Sequence, residues 1–105
     1  MKMSELLPYR IGKRAGKELK KIRTTDVNLY RKMNNAIESI RENPMIGEPK
    51  KGDLKGYFCV DLNHMGTNYE LCYALEEDEN GEIVIIVLMG PRENFYSQLK
   101  RYLEL

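Results

Sequence analysis

The side chains best equipped for chemistry fall in one stretch, between Cys59 and Tyr73. Phe58, Val60 and Leu62 alternate with Cys59, Asp61 and Asn63, and Tyr69, Leu71 and Tyr73 alternate with Glu70 and Cys72, a period of two that predicts two strands. Met65-Gly66 between them favours a tight reversal. A two-residue or four-residue loop sets Cys59 opposite Cys72, Asp61 opposite Glu70 and Asn63 opposite Asn68 on one face; a three-residue loop breaks that pairing. Two carboxylates crowded together drive one pKa up, which lets such a pair supply both a base and an acid. The same two residues equally describe a solvated pair of surface carboxylates.

The other reactive residues narrow the choices. His64 is the sole histidine, so multi-histidine metal sites are ruled out. Its place just before the turn reads as a surface residue, with general base as the alternative. Cys59 and Cys72 are the only cysteines and lack CxxC spacing, so they predict reduced thiols rather than a disulfide framework or a thiolate zinc site.

These residues must be positioned by a chain of 105 residues, 42% hydrophobic and 31% charged, which predicts a single domain over residues 1–105. A core of this size leaves function to an open face or groove. The longest apolar run, Ile83 to Met89, is far short of the roughly 20 residues of a spanning helix, and no apolar signal-peptide core precedes the first strand, so a cytoplasmic protein is expected. Net charge is +1, but unevenly spread: residues 1–51 hold 13 Lys and Arg against 6 Asp and Glu, and residues 52–105 hold 4 against 10. A basic face able to meet a polyanion or an acidic partner fits this asymmetry, as does a solvated amphipathic helix.

Leu6 to Ile11 reads as an edge strand, because Pro8 cannot donate to a central ladder. Ile11, Ala15, Leu19 and Ile22 then recur at helical spacing among Lys13, Arg14, Lys17, Lys20, Lys21 and Arg23, giving a basic amphipathic helix. After the capping residues Thr24-Thr25-Asp26, a second helix follows with Val27, Tyr30, Met33, Ile37 and Ile40 on its stripe, until Asn43-Pro44 ends it. Pro44 to Gly56 reads as a long loop. Beyond the two strands, Glu76 to Glu82 is an acidic hairpin turn with Asn80-Gly81 at its tip, and Ile83 to Met89 is a β-branched run typical of a strand buried on both faces. Gly90-Pro91 breaks that strand, and Arg92 to Leu105 closes the chain as a helix with Phe95, Leu99, Tyr102 and Leu103 inward. The expected class is α+β: an N-terminal helical hairpin packed on a small, mainly antiparallel twisted sheet in the order β-α-α-β-β-β-α.

The element order, the Lys50-Lys51-Gly52-Asp53-Leu54-Lys55-Gly56 loop, the Asn68-Tyr69-Glu70-Leu71-Cys72-Tyr73 strand and the Gly90-Pro91-Arg92-Glu93-Asn94-Phe95-Tyr96 segment together resemble the RelE/ParE superfamily of bacterial type II toxins. The resemblance implies a RelE-like fold, a cognate antitoxin as partner and no metal or cofactor. It offers two targets. The RelE branch cleaves mRNA on the ribosome with the substrate's own 2′-hydroxyl as nucleophile, and the ParE branch poisons DNA gyrase. On the first reading, Arg92 stabilises the phosphorane charge, Tyr96 stacks on or protonates the substrate, and Glu70 with Asp61 forms the base and acid pair. Lys50, Lys51 and Lys55 then meet RNA or the ribosome, while Lys17, Lys20 and Lys21 meet an acidic antitoxin segment. The chain departs from the RNase branch in carrying Glu70 where that branch often has arginine, and Cys59 and Asp61 where some members have lysines. A gyrase inhibitor, or a non-catalytic binding module of the same fold, is therefore the alternative.

Overall fold

The computed structural model describes residues 6–105. In chain order the elements are β1 (Tyr9–Ile11), α1 (Lys13–Thr25), α2 (Val27–Glu42), β2 (Glu48–Pro49), β3 (Tyr57–His64), β4 (Thr67–Asp78), β5 (Gly81–Pro91) and α3 (Phe95–Leu103), with a 3-10 turn at Gly52–Leu54. The strands form one five-stranded sheet in the order β1-β5-β4-β3-β2. β1 runs parallel to β5 and the other neighbours are antiparallel, giving an α+β fold. No helix among the described residues is long and apolar enough to cross a membrane.

The helical hairpin covers one face of the sheet. Ala15, Leu19 and Ile22 of α1 are buried with Leu29, Met33, Ile37 and Ile40 of α2, against Leu71, Tyr73, Val84, Ile86 and Met89. Asp26 ends one helix and starts the next: its amide bonds the Ile22 carbonyl, and its carboxylate accepts from the Leu29 amide at 3.1 Å. The expected stripe of α2 is therefore rotated. Leu29, not Val27, begins it, and Val27 is 57% exposed because it lies about 200° around the helix from Leu29.

The opposite face is partly closed by α3, whose Phe95 and Leu99 pack on Cys59, Cys72, Val87 and Leu88. A β-bulge in β5 opposite Cys72 and Tyr73 puts both Val87 and Leu88 on this side. That is how an unbroken apolar run serves two faces of one sheet.

Further sequence expectations are corrected by the structure. The first strand spans only Tyr9–Ile11, with the Pro8 carbonyl accepting from the Val84 amide at 3.0 Å. The Pro44 to Gly56 loop contains β2, which lengthens the sheet by pairing Glu48 with Cys59 and Pro49 with Phe58. Gly90-Pro91 does not break β5: the ladder continues to the Pro91–Tyr69 pair, because β1 has ended by then and the proline nitrogen faces no strand that needs a donor. Finally, α3 starts at Phe95 after Asn94 adopts a left-handed conformation (φ 63°), and Tyr102 is 38% exposed rather than core.

Candidate active site

The β3–β4 turn fixes the geometry of the site. Met65 (φ 50°) and Gly66 (φ 82°) are both left-handed, the signature of a two-residue hairpin turn whose twist matches its strands. Its register pairs Cys59 with Cys72, Asp61 with Glu70 and Asn63 with Asn68, so the pairing expected for a two-residue loop is the one found. The Asn63 side-chain amide donates to Asn68 Oδ1 at 3.1 Å.

On its other side Glu70 pairs with Gly90 of β5, where a side chain would meet open space. The Glu70 carboxylate is nonetheless only 4% exposed. Arg92, two residues beyond Gly90, brings its Nε to 3.5 Å from Glu70 Oε2, and Tyr96 in the first turn of α3 donates its hydroxyl to Glu70 Oε1 at 3.2 Å. Lys50, just after β2, holds its ammonium 4.9 Å from the centre of the Tyr96 ring and bonds Glu48 Oε1 at 2.6 Å. These groups line an open-sided cavity of about 560 Å³ together with Asp61 and Cys59.

Three carboxylates and two cations share the cavity, and the contacts set their states. The Glu48 carboxylate raises the pKa of Lys50, which stays charged, and Lys50 in turn holds Glu48 below its usual range. Burial pushes the Tyr96 phenol up to about 12, so it is a protonated donor at neutral pH. The neighbouring Cys72 thiol lowers the Cys59 pKa, while Cys59 and burial raise that of Cys72.

Arg92, Tyr96, Glu70, Asp61 and Lys50 are thus gathered in one place, with Asp61 exposed at the rim. Lys51 and Lys55 are exposed and lie outside the cavity lining. Lys17, Lys20 and Lys21 sit on the outer side of α1; Lys20 borders a shallow groove of about 220 Å³ with Leu19, Arg23 and Tyr30. Glu48 was absent from the sequence expectations, although its spacing to Lys50 puts both on one side of an extended segment. His64 is a correction: it is buried, 5% exposed, with Nε2 2.9 Å from Asp26 Oδ2, and it ties the hairpin end to the α1–α2 junction rather than facing solvent.

Residues 10–100 match the family model for the ParE-like toxin of type II bacterial toxin-antitoxin systems. Among solved structures, a YoeB/ParE toxin from Agrobacterium tumefaciens superposes with a TM-score of 0.68 at 18% identity, covering 82% of this chain and 99% of that one. A double arginine-to-alanine mutant of the E. coli toxin RelE in the free state gives 0.68 at 16% identity over 93% of this chain and 94% of that one. The YoeB dimer from Staphylococcus aureus gives 0.61 at 24% identity, covering 80% of this chain and 94% of that one. A search of curated proteins finds no match. Fold and family match together define a toxin of the RelE/ParE superfamily. Within it, the chain belongs to the ParE-like toxin family of type II toxin-antitoxin systems, which implies an antitoxin partner.

Proposed function

We propose that this toxin is a ribosome-dependent mRNA endonuclease that cleaves by transesterification. The observation that carries the reading is the buried Glu70 carboxylate, held between the Tyr96 hydroxyl and the Arg92 guanidinium on the floor of an open cavity. Glu70 takes the proton of the 2′-hydroxyl, whose oxygen attacks the adjacent phosphorus; the 5′-oxygen leaves, giving a 2′,3′-cyclic phosphate and a 5′-hydroxyl. Arg92, with 60% of its side chain exposed, swings from Glu70 to the phosphoryl oxygens, and Lys50 adds a second positive charge. The Tyr96 phenol donates toward the leaving oxygen. Asp61 at the rim returns protons from solvent, and Lys51 and Lys55 contribute phosphate contacts outside the cavity.

Induced expression without the antitoxin should arrest growth and produce cuts in codon register in translated mRNA, with Arg92→Ala abolishing both. Intact mRNA during arrest contradicts the reading.

A second target, DNA gyrase, is favoured by one specific observation: the cavity holds Glu48, Asp61 and Glu70 against only Lys50 and Arg92, and both cations already have carboxylate partners. Such a cavity is poorly suited to phosphate. Inhibition of supercoiling by the purified toxin, with mRNA left intact, supports this reading instead.

A further inference from the structure

Cys59 and Cys72 are directly paired across β3 and β4. Counting back from the two-residue turn, the His64–Thr67 pair is hydrogen-bonded and every second pair is not, which makes Cys59–Cys72 one of the close pairs. Cα atoms at such positions are about 4.5 Å apart, at the short end of the span a disulfide bridges.

Both thiols are reduced and packed beneath Phe95 and Leu99. Their access differs. Cys59, though only 4% exposed, lines the cavity wall, whereas Cys72 is 0% exposed and lies outside that lining. Their surroundings differ in the same sense, since the neighbouring Cys72 thiol and the charge of Lys50 favour thiolate on Cys59 and outweigh its burial and the charge of Glu70. The thiol reached from the cavity is therefore also the one disposed to react, and its partner is in place behind it.

We propose that Cys59 and Cys72 form a peroxide-oxidisable dithiol that closes to a cross-strand disulfide in the wall of the cavity. Cys59 thiolate attacks one oxygen of hydrogen peroxide, breaking the O–O bond and releasing hydroxide, which takes up a proton as water; Cys59 becomes a sulfenic acid. The Cys72 sulfur then attacks the Cys59 sulfur, the S–O bond breaks, and the thiol proton leaves with the hydroxyl as a second water. Peroxide is the only co-reactant and is reduced to water: two thiols and one peroxide give one disulfide and two waters. Closure removes a thiol from the cavity lining, so the link alters the cavity whatever that cavity acts on.

The test is titration of the native full chain with hydrogen peroxide. Both thiols should disappear together, the intact mass should fall by two hydrogens, the chain should run without intermolecular crosslinks under non-reducing conditions, and dithiothreitol should restore it. Cys72→Ala should accumulate a dimedone-trappable sulfenic acid on Cys59, and in Cys59→Ala the remaining thiol should react at least roughly tenfold more slowly. Thiols that react only after denaturation, or intermolecular crosslinks as the main product, overturn the proposal. The wild-type mass measurement decides the matter even where a variant does not fold.

Discussion

Asp61 and Glu70 stand directly opposite each other across the β3–β4 ladder, yet Glu70 is 4% exposed beneath α3 while Asp61 is open to solvent at the cavity rim. Like charges directly opposed cost roughly 0.2–1 kcal/mol. Glu70 has Arg92 and Tyr96 to offset this and Asp61 has water. Asp61→Asn should therefore raise stability by up to about 1 kcal/mol in chemical denaturation and leave most cleavage intact. Glu70→Gln keeps an oxygen for the Tyr96 hydroxyl but loses the base, so cleavage should fall by about 10²–10⁴-fold while the fold persists. Glu70→Arg is the sharper variant: it should be inactive, because it replaces the base and places a second guanidinium beside Arg92. Gain of cleavage in that variant would show that Glu70 is an obstruction rather than a base.

Tyr96 supplies a pH signature. Its phenol is raised by burial from 10.0 to about 12, so the folded state favours the neutral form. The stability this contributes is present in full below pH 10.0 and is lost as pH rises through about 12. Wild type should therefore lose stability relative to Tyr96→Phe as pH rises through that window, the two running in parallel below it, and cleavage should show no Tyr96 ionisation near neutral pH.

The loop that delivers Glu48 and Lys50 hangs on one buried phenol. Tyr73 Oη donates to the Pro44 carbonyl at 2.7 Å and accepts from the Gly47 amide at 2.9 Å. A Cβ at Gly47 would lie 2.5 Å from that oxygen. Gly47→Ala should destabilise by about 1–3 kcal/mol. Tyr73→Phe removes the bonds without a clash, and should lower cleavage more than stability by letting Lys50 drift from Tyr96. Equal loss of both would show that the loop contributes nothing specific to the site.

Antitoxin capture should depend on α1. Lys17, Lys20 and Lys21 are exposed and lie off the buried Ala15, Leu19 and Ile22 stripe, so reversing all three to glutamate should spare the fold. Association with the antitoxin should slow and lose its salt dependence, as read by stopped flow over a tenfold salt range. Association that is salt-independent in wild type would show that this face does no steering.

Much of this site could be read from local pattern. The period-two residues on either side of Met65-Gly66 carry the Asp61–Glu70 register, because one turn length decides every pair in a hairpin. What escaped depended on distant partners. His64 is buried by Asp26, 38 positions earlier, and nothing beside His64 signals that contact. The depth of Glu70 depends on the reach of α3, whose Tyr96 bonds it, and that is not visible in its own strand. β2 is two residues long, too short to show a period, so Glu48 was hidden in what read as a loop. The Asn94 conformation, which lets Arg92 lie at a corner instead of on the helix, likewise has no pattern of its own.

The central claim is that Glu70 and Arg92 form a working nuclease site, and mapping of 5′ ends in translated mRNA from cells expressing wild type, Arg92→Ala or Glu70→Gln tests it most directly. The account predicts codon-register cuts bearing 5′-hydroxyl ends with wild type alone. Growth arrest with uncut mRNA in wild type, accompanied by loss of gyrase supercoiling in a purified assay, would contradict it.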